Sequence, residues 1–222
     1  ANKYYAGIHI PVGRLTAEDL QDFAAVSNNY GVGEIRLTED QNIIIIGIDE
    51  SKLNNFKSNS LFDRFSLEPN LIEAGTVSCT GNRYCSFALT NTKDEALKIS
   101  KELAQELELN EEVKIHWTGC PNSCGQAYMG SIGLTGKKAK NSQGKMDEAY
   151  DISVGGSQGE QQKLGELKHK SVPKEDLKLV LKELLINEFS AVPKPKIKKN
   201  KFYILSRFMN WLDDLGKSSN ST

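Results

Sequence analysis

The sequence lacks the features that send a chain to a membrane, to nucleic acid or into secretion. No apolar run approaches the ~20 residues needed to span a bilayer. No sign of charge dominates: 28 basic residues face 29 acidic ones, a net of −1, so there is no electrostatic case for nucleic acid or an anionic membrane. No signal-peptide pattern precedes the first strand-like run, which Ala1-Asn2-Lys3-Tyr4-Tyr5 enters directly. An initiator methionine is missing too, and the chain is expected to be a fragment entering a fold already under way. Internal repeats are absent, and cysteine is limited to four residues. Hydrophobic residues are not scarce: at 38% of 222 they suffice for a real core, in one large domain or two small ones.

Periodicity divides the chain into alternating strands and helices. Residues 4–10 read as a strand, punctuated by Pro11 and Gly13. Thr16-Ala17-Glu18-Asp19 resembles a capping box, followed by Leu20, Phe23, Ala24 and Val26 at helical spacing, with Gly31 and Gly33 as the stop. Residues 34–38 and 43–48 read as strands around an Asp40-Gln41-Asn42 turn, and the isoleucine run 43–46 predicts a strand covered on both faces. A short helix from about Ser51 completes a β-α-β-β-α unit. A second unit starts near Pro69. It has a strand at 76–78, a long helix capped by Thr92-Lys93-Asp94-Glu95, and strands at 113–117, 132–134 and 152–154. Residues 137–145 read as a polar, solvent-exposed hairpin connection, which makes Lys137, Lys138 and Lys140 solvated loop residues. Pro173 is expected to open a helix that buries Leu177, Val180, Leu181, Leu184 and Leu185. A basic stretch with Lys194, Lys196, Lys198 and Lys199, an amphipathic run with Phe202, Ile204, Leu205, Phe208 and Trp211, and a disordered tail at 217–222 close the chain. The fold class is therefore α+β, of mixed α/β character.

The cysteines fall in two pairs, Cys79-x5-Cys85 and Cys120-x3-Cys124, with 34 residues between them. Nothing marks a disulfide scaffold, so paired thiolates point to soft-metal chemistry, either an iron–sulfur cluster or structural zinc. The x3 pair permits zinc, whereas the x5 pair and the lack of compact knuckles weigh toward iron–sulfur. Pro121 fits the first turn of a helix, which would put Cys120 and Cys124 on one face near a positive helix end. Ser78, Thr80, Gly81, Asn82, Thr118, Gly119, Asn122, Ser123 and Gly125 are small or polar. They allow close backbone approach and hydrogen bonds to sulfur, which tune a cluster's potential.

Thr118-Gly119-Cys120-Pro121-Asn122-Ser123-Cys124-Gly125-Gln126 resembles the siroheme nitrite and sulfite reductases, and Cys79-Thr80-Gly81-Asn82-Arg83-Tyr84-Cys85 is similar to that family's other ligand pair. Gly7-Ile8-His9-Ile10-Pro11-Val12-Gly13-Arg14 and residues 33–45 resemble segments of the ferredoxin-dependent nitrite reductases, and the likeness runs from about Tyr5 to Pro193. The Ser123-Cys124-Gly125-Gln126 ending resembles the nitrite branch.

The resemblance implies a ferredoxin-like half-domain at 1–68, a siroheme and [4Fe–4S]-binding domain at 69–193, and a linker and tail at 194–222. It implies that Cys79, Cys85, Cys120 and Cys124 bind a [4Fe–4S] cluster and that Cys124 bridges to siroheme iron. Thr118, Asn122, Gln126, Arg14, Arg36 and Asn42 become candidates for positions near the macrocycle. The implied chemistry is six-electron reduction of nitrite to ammonia in nitrate assimilation, with reduced ferredoxin as donor. It also implies a missing N-terminal half, without which this fragment is inactive, a monomeric complete enzyme, and a cytoplasmic location, or the plastid stroma in a plant. Acidic ferredoxin calls for a basic docking face, toward which the 194–199 lysines are candidates, although a plain solvated linker is the preferred reading. The corresponding half of a sulfite reductase, a non-catalytic module stabilised by zinc on the four cysteines, and a stand-alone electron carrier stay open. Arg83, between two of the implied ligands, is a candidate to act on the cluster's charge, although a surface role is the preferred reading; His9 and His116 in strands are expected to be structural, and Trp117 beside the cysteine loop is expected to pack and not to relay electrons.

Overall fold

The structure is a computed structural model that describes residues 2–160 and 162–195. Its first unit consists of β1 (Lys3–Ile8), α1 (Ala17–Tyr30), β2 (Ile35–Leu37), β3 (Ile43–Asp49) and α2 (Leu53–Lys57). β3 is the middle strand of an antiparallel sheet of order β1-β3-β2. The capping box is complete: the Thr16 hydroxyl accepts from the Asp19 N–H, and the Asp19 carboxylate accepts from the Thr16 N–H at 2.8 Å. α1 stops at Gly31. Phe23 and Val26 of this helix pack with Ile8, Ile43, Ile45, Ile48, Phe56 and Phe65. The isoleucine run alternates. Ile43 and Ile45 are fully buried, while Ile44 and Ile46 keep partial exposure, so only one face of β3 is fully covered. A period of two requires this when the unit's helices stack on a single side of the sheet.

The second unit consists of α3 (Leu71–Ala74), β4 (Thr76–Ser78), α4 (Thr92–Glu106), β5 (Leu107–Glu108), β6 (Ile115–Thr118), β7 (Ile132–Lys140), β8 (Met146–Val154), β9 (Glu166–Pro173), α5 (Leu177–Phe189) and β10 (Val192–Pro193). Five strands form a mixed sheet of order β4-β6-β7-β8-β9, parallel from β4 through β7 and antiparallel beyond. β5 and β10 pair separately. Ile99 and Leu103 of α4 and Leu181 and Leu185 of α5 share one core with Ile115, Trp117, Leu134, Tyr150 and Ile152. Mixed layers of helix and sheet around two apolar cores confirm the α+β class.

Several boundaries differ from the sequence reading. β7 and β8 pair in register from Ile132↔Val154 to Lys140↔Met146, so the hairpin loop is only 141–145. Lys137, Lys138 and Lys140 are strand residues, and Lys137 reaches Asp151 at 3.0 Å. The hairpin's outer half carries polar residues on both faces, which hides its period of two. β9 is a sheet-edge strand rich in charge, a composition that protects an open edge and disguises it as loop. Pro173 ends β9, and a 3-10 turn at Lys174–Asp176 leads into α5. The cap of α4 is Asn91, whose side chain accepts from the Asp94 N–H; Thr92 is already helical. Lys194 donates from its ammonium to the Ala104 carbonyl and from its backbone N–H to the Glu106 carbonyl, both at 2.8 Å, so it closes the end of α4. Lys196, Lys198 and Lys199, the amphipathic run at 202–211 and the tail at 217–222 lie outside the described residues.

Candidate metal centre

β4 and β6 are hydrogen-bonded parallel neighbours, with Ser78 opposite Trp117. Their carboxyl ends therefore emerge side by side, the usual place for a site in a parallel sheet. Cys79 directly follows β4, and Cys120 lies two residues past β6. The Cys79 N–H donates to the Trp117 carbonyl at 2.9 Å, which extends the strand pairing into the first ligand loop. Leu89 N–H donates to the Gly119 carbonyl at 2.7 Å, tying the far end of that loop to the second.

Each loop is folded by its own backbone. The Gly81 carbonyl accepts the Cys85 N–H at 3.1 Å. Gly81 takes φ +73, and a Cβ there would sit 2.7 Å from the Thr92 backbone nitrogen, so the tight turn requires glycine. Thr118 is buried, and its hydroxyl accepts the Gly125 N–H at 2.9 Å, which closes the second loop into a ring. A Cβ on Gly125 would meet the Trp117 carbonyl oxygen at 2.2 Å. The expected helical turn from Cys120 to Cys124 does not form. Two tight turns replace it, in which Ser123 N–H donates to the Cys120 carbonyl at 3.3 Å and Gln126 N–H to the Ser123 carbonyl at 2.8 Å. Ser123 and Gln126 both adopt left-handed backbone, at φ 54 and φ 53, which breaks a right-handed helix.

All four cysteines are free thiols, graded in accessibility: Cys120 is buried, Cys79 and Cys85 are half-buried and Cys124 is exposed. Cys79 Sγ accepts the Gly119 N–H at 3.2 Å and lies 3.6 Å from the Thr92 hydroxyl, which itself donates to the Cys79 carbonyl at 2.7 Å. The Gly119 N–H, a donor aimed at sulfur, stabilises thiolate charge and suits a cluster ligand. Among the described residues, no three or more His, Cys, Asp or Glu side chains converge closely enough to hold a single metal ion. Structural zinc needs four ligands about 2.3 Å from one centre. A four-iron cluster distributes its thiolates over separate corners, and the four free cysteines supply donors suited to either group.

The other predicted residues are placed as follows. Asn122 and Gln126 are exposed on the two sides of Cys124. Arg14 ion-pairs with Asp94 at 2.6 Å, and Arg36 pairs with Glu34 at 2.7 Å on the exposed β2. Asn42 accepts the Ile10 N–H at 2.9 Å and joins β1 to the start of β3. Hydrogen bonds from Asn91 and Arg14 hold the Asp94 carboxyl below its ordinary value. Arg83 lies over the Tyr84 ring, 5.7 Å from its centroid, and is largely exposed. Burial pushes both His9 and His116 below the usual histidine range, and His116 Nδ1 lies 3.2 Å from the Gln126 carbonyl. Trp117 packs edge-on to Tyr150 with ring centroids 5.5 Å apart. Sequence reasoning missed Thr92, Gln41, Lys93 and Glu148 as residues shaping the loops. Glu148 accepts from the Asn82 side chain at 2.9 Å and from the Asn91 N–H at 3.1 Å. In the sequence, Thr92 and Lys93 stand out only as part of a helix start and Gln41 only as part of a turn, while Glu148 carries no signal.

The four free cysteines lie in two loops, one leaving β4 and one leaving β6, and are donors of the kind that soft metals and iron–sulfur clusters take. Comparison with known proteins narrows the class. Residues 1–59 match the nitrite/sulfite reductase ferredoxin-like half domain, and residues 74–218 match the nitrite and sulphite reductase 4Fe-4S domain. The chain belongs to this nitrite and sulfite reductase family and carries its iron–sulfur domain. It is 48% identical over 187 residues to a ferredoxin–nitrite reductase of Synechococcus elongatus, covering 84% of this chain and 36% of that protein. It is 42% identical over 193 residues to a chloroplastic ferredoxin–nitrite reductase of Spinacia oleracea, covering 86% and 32%. The chain spans about a third of the length of these relatives. The solved structure of the NirA protein of Mycobacterium tuberculosis shares the fold, with a TM-score of 0.78 at 21% identity over 89% of this chain and 37% of that one.

Proposed function

We propose that this chain is the cluster-bearing C-terminal part of a ferredoxin–nitrite reductase, that Cys79, Cys85, Cys120 and Cys124 bind a [4Fe–4S] cluster, and that Cys124 also faces siroheme. The observation that carries this reading is the contrast within one loop: Cys120 is buried while Cys124, four residues on, is exposed. A ligand shared with a second cofactor has to lie open on one side. When bound, the coupled cofactors supply the redox chemistry that takes nitrite to ammonia.

The chain's own residues do the positioning. Thr118 closes the loop that presents Cys124, the Gly119 N–H stabilises charge on the Cys79 sulfur, and the Thr92 hydroxyl holds the Cys79 carbonyl. Asn122 and Gln126 are our first candidates for the macrocycle edge because they flank Cys124 and are exposed. Arg14 and Arg36 would first have to leave Asp94 and Glu34. Asn42 would have to release the Ile10 N–H, or act through its remaining amide protons. We keep the division at 1–68, 69–193 and 194–222 as the working domain scheme.

Reduced ferredoxin as donor and nitrite as substrate are suggested by the names of the relatives, and an N-terminal part as structural partner is our reading of the third of their length that the chain spans. Their cyanobacterial and chloroplastic sources support a cytoplasmic or stromal site. No described helix is long and apolar enough to cross a membrane.

An anaerobic absorption spectrum with iron and acid-labile sulfide analysis tests the proposal, on this chain alone and on the chain joined to its N-terminal part. A cluster in both and siroheme bands only in the joined protein are expected. Zinc without iron or sulfide sinks the reading. Turnover of the complete enzyme with nitrite against sulfite then decides the branch, and preferred turnover of sulfite moves the chain to the sulfite reductases.

A further inference from the structure

The peptide just before Cys79 is gripped from two sides by polar groups that the site described above does not use. Gln41, in the turn between β2 and β3, reaches across the boundary between the two units. Its Nε2 donates to the Ser78 carbonyl at 2.8 Å, and its Oε1 accepts the Ser78 N–H at 3.3 Å. Lys93, in the first turn of α4, donates to the same Ser78 carbonyl at 3.2 Å and also to the Val12 carbonyl. Ser78 itself is fully buried.

A carbonyl oxygen has two lone pairs. Those of Ser78 are shared between a neutral amide and an ammonium, while the Cys79 carbonyl receives the hydroxyls of Ser78 and Thr92 at 3.0 and 2.7 Å. The chain therefore enters Cys79 with no free acceptor, and one donor carries charge. Hydrogen bonds to an ionised donor are the shorter and stronger kind and fix geometry more firmly. Burial, and then the Arg14 guanidinium, push the Lys93 ammonium below its ordinary value, while negative charge on Cys79 works the other way.

We propose that Gln41 and Lys93 are positioning residues for the cluster: they clamp the peptide that presents Cys79, and the Lys93 charge raises the cluster's reduction potential. The half-domain turn and the redox centre would then be joined through one carbonyl. The inference rests on the cluster reading given above. The step it concerns is addition of one electron from the external donor to an anionic cluster, with no bond made or broken at the clamp. A nearby cation favours the more negative product, whereas a purely structural clamp moves stability and leaves the potential alone.

The test is an EPR-monitored redox titration of the complete enzyme carrying Lys93→Gln, Lys93→Arg or Gln41→Glu, with iron and sulfide counted in each. Lys93→Gln removes the charge, and Gln41→Glu replaces the amide donor to the Ser78 carbonyl by a carboxylate. Both are expected to lower the potential, shifting the one-electron equilibrium by about tenfold, or 59 mV. Lys93→Arg is expected to stay near wild type. Unchanged potentials in fully loaded Lys93→Gln and Gln41→Glu overturn the proposal, as does a drop in Lys93→Arg equal to that in Lys93→Gln. If Lys93→Gln assembles no cluster, Gln41→Glu, on a half-exposed turn, decides by the same criterion. A wild-type enzyme holding zinc and no sulfide removes the underlying cluster reading before any potential is measured, so the two failures are distinct.

Discussion

The ferredoxin-like unit and the cluster unit both bury a sheet under helices, but they are held differently where it matters. The first relies on interlocking aliphatic and aromatic side chains, Ile8, Ile43, Ile45 and Phe23 against Phe56 and Phe65. The second has such a core beneath α4 and α5, yet its carboxyl edge is held by backbone N–H bonds and by glycines with no room for a methyl group. Side-chain packing loses stability by degrees as volume is removed. A loop folded by main-chain contacts has no slack, so small changes there displace the ligands themselves.

The largest expected effect comes from Gly125→Ala. Its Cβ would be forced to 2.2 Å from the Trp117 carbonyl, and the variant is expected to lose most of its cluster, read as iron per polypeptide. Gly7→Ala in β1 is the matching control: nothing lies within 4 Å, and a gain of about 0.5–1 kcal/mol is expected from reduced chain entropy. Equal iron content in the two variants would break the comparison. Next, Ile45→Ala opens a cavity in the first core and should cost about 2–5 kcal/mol in denaturant unfolding. The folded fraction should keep its cluster; loss of iron in proportion to stability would show that the two units are not distinct in this respect.

Thr92→Val is a smaller probe of the cluster edge. It removes the donor to the Cys79 carbonyl and the hydroxyl beside Cys79 Sγ, at an expected cost of about 1–3 kcal/mol because the site is buried. An unchanged urea midpoint would mean that this bond contributes nothing. The smallest effect lies on the outer surface. Lys178 and then Lys182 hold the Glu106 carboxyl down at about 2 against an ordinary 4.5. A depressed carboxylate contributes stability above its ordinary value and loses it as pH falls from about 4.5 toward about 2. The three side chains are about a third exposed, so each pair is worth only about 0.2–1 kcal/mol. Glu106→Gln should flatten the acid limb of the stability profile, and superimposable profiles would discount the pairs.

What the sequence disclosed follows the same division. The capping box at Thr16, the stop at Gly31, the apolar stripe of α4 and the strand 43–48 are local patterns, and all appear where periodicity places them. The two cysteine pairs stand out in the sequence by residue type and spacing, and the structure places them in two loops at the ends of β4 and β6. The shape of the Cys120 loop was not, since left-handed Ser123 and Gln126 are held by the surrounding ring of bonds and not by any preference of serine or glutamine. Gln41 and Lys93 were invisible for a related reason: their partners are backbone carbonyls far away in sequence, and a carbonyl leaves no letter in the sequence. β9 escaped because a charged edge strand has the composition of a loop.

The parallel pairing of β4 with β6 has a consequence for biogenesis. Cys79 and Cys85 are synthesised before any residue of β6, and on their own they offer two thiols with no matching pair. The second pair arrives 34 residues later and reaches the first only when β6 has docked on β4. A nascent chain arrested between the pairs is thus a poor acceptor for iron and sulfide. On the four-cysteine cluster reading proposed above, cofactor insertion has to wait for a register between distant strands, and its substrate is a folded apoprotein and not an emerging peptide.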